Sequence, residues 1–450
     1  MKILFSDVTL IGTMDEKGRE IENGFVLVDG NKIDYVGSEK PEGKFDRVID
    51  GRGKLMLPGF VNTHHHFYQS LFRNIKGVND LPLFPWLTTL YEMWKNIDEE
   101  AVHISTIVAI LEMMKSGVTT TTDHLYLVPE GNNFIFDAQI EGGVMTKVRF
   151  HPTRGSMSLS KKDGGLPPDS VVQTEEEILT HSEELIDKYH NPEKYSMLRI
   201  ALAPCSPFSV TPELMKETVK LSEKKNVLLH THLAETLDEE KFCLEKFGKR
   251  PIDYMEELGW LNERVWFAHL VHLSDEDIEK LVKYDVGMAH CPTSNMKLGS
   301  GIAPVTKMKE RVRIGLAVDG SSSNDTGNFL LEIRNALLLQ RVRFGADALT
   351  TREVLKMATM GGARVLRMDD YIGSIEPHKA ADLIMFDLNR LEFSGGLNDL
   401  LSIPVILDAG KVDFSMINGE IVIENGEFTI LDEKIYIEKQ NKISKKLLEK

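Results

Sequence analysis

The chain is short of cysteine, short of positive charge, and without a long apolar run. Three cysteines in 450 residues, Cys205, Cys243 and Cys291, cannot build a disulfide framework. They read as reduced thiols in a reducing compartment. Lysine and arginine number 53 against 69 aspartates and glutamates, a formal net charge of −16. That balance argues against a nucleic-acid backbone or an anionic membrane as partner. No window approaches the ~20 apolar residues of a membrane span. Ser6 and Asp7 interrupt the apolar start Ile3-Leu4-Phe5 before a signal core forms. The expectation is a cytoplasmic protein, a homo-oligomer, whose partner is a small molecule.

What is present is histidine in one repeated setting. Leu57-Pro58-Gly59-Phe60-Val61-Asn62-Thr63-His64-His65-His66 reads as an apolar strand ending in histidines. Side chains alternate along a strand, so His64 and His66 share a face and His65 takes the other. Four later β-like runs end in comparable residues. They are Val227–His232, followed by Leu233-Ala234-Glu235, then Val265–His269, Val286–Pro292 with His290, and Ile314–Gly320 with Asp319. Histidines and carboxylates collected at strand C-termini are the layout of a (β/α)8 barrel active site.

Between residues 58 and 370 strands and helices alternate. Eight strand candidates end near His66, Asp123, Pro152, Pro204, His232, His269, His290 and Asp319. Helical patterns such as Glu99–Lys115, Glu175–Tyr189, Pro212–Lys225 and Ser274–Tyr284 lie between them. Two long connections, 67–98 and 153–174, are placed to shape a pocket. Segments 1–57 and 371–432 carry short strands with Asp29-Gly30-Asn31 and Asn418-Gly419 turns. The fold class expected is α/β, a TIM-like (β/α)8 barrel with a small composite β-sandwich made by both chain ends. Residues 433–450 have the spacing of a tail helix.

His64, His66, His232 and Asp319 form an N3O set for one divalent ion, suiting zinc and accepting iron. Such an ion lowers the pKa of a bound water toward ~7. Glu235, three residues past His232, is placed to shuttle protons. His269 could orient or deprotonate the water, and Asp319 could take its proton. His230 shares the face of His232 but lies deeper, as a core or supporting residue. His290 either touches substrate or fills the wall; Asp123 and His124 stay unassigned. Gln69 offers a donor and an acceptor to a ring edge, and Arg154 a planar fork. Trp86, with Phe67 and Tyr68, could stack on or cap a ring, whereas Trp94 reads as loop packing.

On these residues the chain resembles the amidohydrolase superfamily, in its cytosine/guanine deaminase and chlorohydrolase-like branch. Pro58–His66, His232-Leu233-Ala234-Glu235, His269 in Ala268–His272 and Asp319–Asn324 match the family's motifs on strands one, five, six and eight. Gly373–Leu383 resembles the return into its β-sandwich, with His378 where glycine is usual. His64–Leu71, Arg154–Ser160 and Ala203–Val210 are similar to 8-oxoguanine deaminases and hydroxyatrazine ethylaminohydrolases. The resemblance implies a mononuclear aminohydrolase with Glu235, His269 and Asp319 as catalytic groups and Cys205 against the substrate. Adenosine-type deaminases usually carry His where Cys205 stands, which points away from such substrates. The favoured substrate is 8-oxoguanine; isoxanthopterin, guanine and N-alkyl hydroxytriazines are alternatives. A dinuclear enzyme would need a lysine at the end of strand four, and Arg199–Cys205 has none. A non-catalytic scaffold would leave the filled ligand positions without purpose.

Overall fold

The computed structural model describes residues 1–129, 132–407 and 409–449; Lys450 of the expected tail helix lies outside them. Eight strands form the barrel: β1 (Phe60–Asn62), β2 (Val118–Leu125), β3 (Arg149–Ser156), β4 (Ala201–Pro204), β5 (Leu229–Leu233), β6 (Val265–His269), β7 (Gly287–His290) and β8 (Arg313–Leu316). They pair in parallel and in chain order. The seam between first and last is closed by Thr63, whose N–H and hydroxyl both donate to the Leu316 carbonyl, at 3.1 and 3.0 Å.

Helices connect the strands, and several begin where the sequence supplies a side-chain acceptor. Asp98 caps Glu99–Lys115, Thr211 caps Pro212–Lys225, and Ser274 with Asp277 forms a capping box on Asp275–Lys283. Each accepts a backbone N–H that would otherwise be left without a partner.

Three strand ends differ from the sequence expectation. β1 stops at Asn62 and β8 at Leu316, so His64, His66 and Asp319 lie beyond the regular ladder. Pairing nevertheless continues. The His64 carbonyl accepts from Asp319 N–H at 3.2 Å, and the His65 carbonyl from His124 N–H at 2.8 Å. Successive carbonyls thus turn to opposite neighbours, as in a parallel strand. β3 runs past Pro152 to Ser156, which makes Arg154 a strand residue.

The chain ends build a nine-stranded mixed sheet. Its two halves join where Lys54–Pro58 pairs antiparallel with Leu383–Asp387. Ile3, Phe5, Val26, Val28, Met56, Leu383 and Phe414 share its core. Two hairpin turns meet there: a Cβ on Gly419 (φ +82°) would lie 2.1 Å from the Gly30 carbonyl oxygen. His378 has φ +69°, the left-handed region in which glycine is unstrained. Barrel and sheet are tied by a buried pair, Arg149 at the base of β3 with its fork on Asp382, 3.1–3.2 Å.

The last helix, Glu433–Leu448, packs behind the first long connection. Its Gln440 donates to Ser70 Oγ (2.9 Å) and Ser444 to the Leu71 carbonyl (2.6 Å). No helix among the described residues is long and apolar enough to cross a membrane.

Candidate metal centre and active site

Three imidazoles at the C-terminal mouth of the barrel are turned by their outer nitrogens. His66 Nδ1–H donates to the His124 carbonyl and His232 Nδ1–H to the Cys205 carbonyl, both at 2.7 Å. A carbonyl only accepts, so in each ring Nε2 keeps its lone pair. For His64 the logic runs through a second ring. His230 Nδ1–H donates to the Trp266 carbonyl (2.8 Å), leaving His230 Nε2 to accept from His64 Nδ1–H at 2.7 Å. His64 Nε2 is then also a bare lone pair, buried and without any hydrogen-bond partner.

These lone pairs converge. His66 Nε2 lies 3.1 Å from His232 Nε2. Asp319 Oδ1 is 3.2 Å from His64 Nε2 and 3.3 Å from His66 Nε2. With the tautomers fixed by the outer contacts, no proton sits between His66 and His232, and the repulsion needs a cation. Ligand atoms of His64, His232, His269 and Asp319 all fall within 4.8 Å of one another, as do those of His64, His66, His124 and His232. Burial lowers the proton affinity of His64 well below the usual imidazole value and that of His232 to about 3. Neutral rings are the form a metal ion requires. The residues present therefore fit a divalent ion.

Two carboxyls flank this centre. Asp319 is buried, with its Oδ1 against the His64 and His66 Nε2 atoms. Asp319 Oδ1 also accepts from Gly320 N–H at 2.7 Å, across a backbone in the left-handed region at φ +61°. Glu235 is pushed well above its usual value by burial, then by the charges of Asp319 and Glu239. Its Oε1 accepts from Ser300 Oγ at 3.1 Å. Between them stands His269, with Nε2 3.6 Å from Glu235 Oε2 and 4.0 Å from Asp319 Oδ2. Asn295 Nδ2 donates to His269 Nδ1 at 3.0 Å, so the hydrogen of the neutral ring sits on Nε2, facing the two carboxyls.

The pocket over this centre holds about 390 Å³ of empty space, part of it open to solvent. Gln69, Trp86 and Cys205 line it, joined by Tyr91, Tyr126 and Phe208. Trp94 stands behind the wall, edge-on to Tyr68 and Trp86 at 5.4 Å.

Arg154 is not in the pocket, and the expected role as a ring reader is corrected. Along β3 the side chains alternate. His151 lies 6.1 Å from the Trp266 ring, while Arg154, three residues on, takes the opposite face. Its guanidinium rests 4.8 Å over Phe136 and donates to the Gly155 carbonyl (2.6 Å) and Gln173 Oε1 (2.8 Å). His290 is also absent from the pocket lining; it is 1 % exposed and neither ring nitrogen has a partner.

Other residues of the site had no role in the sequence reading. Glu239 accepts from the N–H groups of Ala234 and Glu235, both at 2.8 Å, and so holds the turn that presents Glu235. That turn is strained, with Ala234 at φ +54°. The spacing Thr236-x-x-Glu239, a helix-start pattern, was the available signal. Asn295 and Ser300 follow β7, a strand end where site residues are expected. Asp123 accepts from Phe67 N–H at 2.6 Å and pins the connection that carries Gln69.

The sequence profile of the amidohydrolase family matches residues 55–422. This chain belongs to that family. It is a hydrolase acting on carbon–nitrogen bonds. It is 46 % identical over 419 residues to an 8-oxoguanine deaminase of Pseudomonas aeruginosa, covering 92 % of each chain. It is 35 % identical over 447 residues to a hydroxydechloroatrazine ethylaminohydrolase of Pseudomonas sp. strain ADP, covering 96 % of this chain and 92 % of the relative. Its fold is similar to that of an adenosine deaminase from Xanthomonas campestris with bound zinc. The TM-score is 0.90 at 25 % identity, over 100 % of this chain and 99 % of the other.

Proposed function

We propose that the protein is a zinc-dependent hydrolytic deaminase of 8-oxoguanine, converting it with water to urate and ammonia. The observation that carries the chemistry is a pair of buried carboxyls in one pocket, Asp319 against the histidine rings and Glu235 with its pKa raised by burial. Such a pair divides the acid and base roles. A divalent ion held by His64, His66, His232 and Asp319 supplies activation of water at neutral pH.

The remaining work belongs to side chains. Glu235 enters protonated and delivers its proton to the ring nitrogen beside the carbon that bears the amine. Asp319 takes the proton that the attacking water gives up and passes it to the departing amine. His269 Nε2–H donates to the oxygen on which charge develops. The aromatic walls Trp86, Tyr91 and Phe208 suit a flat ring, and Gln69 suits its polar edge.

The choice among rings rests on the 46 % identity to an 8-oxoguanine deaminase and on Cys205 in the wall. A second reading, release of an alkylamine from a hydroxytriazine, is favoured by the 35 % relative. An ammonia-release screen over 8-oxoguanine, guanine, isoxanthopterin, aminated hydroxytriazines and adenosine decides between them. 8-Oxoguanine is expected to have the highest kcat/KM, and a better adenosine substrate would overturn the assignment. A cytoplasmic location and a homo-oligomeric state are part of the same proposal.

A further inference from the structure

A second cavity opens at the other end of the barrel, beneath the N-terminal ends of β3 to β6, with about 740 Å³ of empty space partly open to solvent. That end of a (β/α)8 barrel ordinarily serves stability alone. Here its lining is basic: Arg199, Arg264, Arg367, His151 and His190, with Glu263 as the sole carboxylate, on an exposed residue. The concentration stands out on a chain of net charge −16.

Two of these guanidiniums are not neutralised. Arg367 pairs with Asp285. Arg199 and Arg264 have no carboxylate within 4.0 Å among the described residues. Arg199 reaches the Pro192 and Glu193 carbonyls (3.0 and 3.4 Å) and lies 5.4 Å over the Tyr371 ring, and its Nε is buried without a partner. Arg264 donates to Asn226 Oδ1 at 2.6 Å. His151, 1 % exposed, has a buried Nδ1 with no partner. His190 accepts from Ile200 N–H through Nδ1 (3.0 Å), so its ring hydrogen sits on Nε2 as a further donor. The lining thus offers unpaired positive charge and surplus donors, the complement of an oxyanion.

We propose that this cavity binds a small phosphate-class oxyanion, free or carried on a metabolite, held by Arg199 and Arg264. The site is separate from the catalytic pocket and shares no lining residue with it. It is nevertheless close to the metal support. His151 lies against Trp266, and Trp266 stacks on His230 at 4.4 Å, the ring that orients His64.

The test is isothermal titration of the metal-loaded enzyme with inorganic phosphate and, separately, with a nucleoside monophosphate, at constant ionic strength. One anion per chain is expected to bind, about tenfold or more weaker in Arg264→Gln, with deaminase activity of that variant unchanged. Arg264 is half-exposed, so Arg264→Gln stays informative if Arg199→Gln, which also loses the two carbonyl contacts, fails to fold. Tighter binding of the nucleotide assigns the phosphate to a metabolite; equal affinity assigns it to the free ion. Binding that Arg264→Gln leaves intact, binding abolished by His232→Ala, or no binding at a few times ~1 mM each overturn the proposal. None of these outcomes depends on which ring the catalytic site deaminates.

Discussion

His64 Nδ1 lies 2.7 Å from His230 Nε2, so a histidine outside the proposed ligand set decides which nitrogen His64 turns toward His66, His232 and Asp319. His230 is itself fixed by the Trp266 carbonyl. Outer partners of this kind are worth about 10–100-fold in metal affinity. His230→Ala is therefore expected to keep the fold and lose that much affinity, read by competition with a chelator of known strength. A wild-type affinity in the variant would show that His64 is oriented by packing alone.

Loss of a ligand and loss of a proton donor separate cleanly. His232→Ala is expected to bind no tightly held ion and to be inactive. Glu235→Gln keeps the shape of the side chain but has no acidic proton. It is expected to retain metal while the rate falls by ~10²–10⁴. Metal content and turnover measured on the same preparations check both. Near-normal turnover in Glu235→Gln would assign the acid role elsewhere.

Arg154 belongs to stability. It is buried over Phe136 with its donors spent on Gly155 and Gln173. Arg154→Ala is expected to cost about 1–3 kcal/mol of unfolding free energy, the scale of a buried polar group losing its partners. The ranking of substrates should not move. A changed preference between 8-oxoguanine and guanine, without a change in denaturation midpoint, would return Arg154 to the recognition machinery.

Glu332 should give stability a pH dependence of its own. Burial raises its pKa to about 7, although Thr293 and Asn324 hydrogen-bond to it. Between its ordinary value near 4.5 and about 7 the folded chain holds the proton and the unfolded chain does not. Stability from this group is complete below that window and is lost as pH rises through it. Glu332→Gln removes the titration. The variant should gain on wild type by about 1–3 kcal/mol from pH ~5 to pH ~8, in denaturant titrations of both. The comparison cancels effects common to both, such as metal release at low pH. A difference independent of pH would mean the buried carboxyl does not change its charge.

The candidate ligands and catalytic groups were legible because each closes or soon follows an apolar, β-like run. The candidate ligands His64, His66, His232 and Asp319 and the catalytic His269 all close such runs, and Glu235 follows His232 by three residues. The eight-strand alternation was legible for the same reason. Arg154 was misread because Pro152 looked like a strand end. Four further residues of β3 were missed, and with them the alternation that turns the guanidinium away from the pocket. The orienting contacts could not be read at all. His230 meets His64 across 166 residues of chain, and His66 and His232 are turned by carbonyls, which every residue carries. Glu239 was hidden in a pattern that usually signals only a helix start.

The barrel seam has a consequence for assembly. His64 and Asp319 flank the bonds by which Thr63 meets the Leu316 carbonyl, 253 residues apart in sequence. Three of the four proposed ligands, His64, His66 and Asp319, thus come from the first and last strands to be joined. A chain whose final strand is missing or undocked lacks Asp319, one of the four proposed ligands. On the proposed ligand set, tight ion uptake is expected only after the ring has closed, and the bound ion would act as a clasp across that seam. Metal retention would then report that the polypeptide had come full circle.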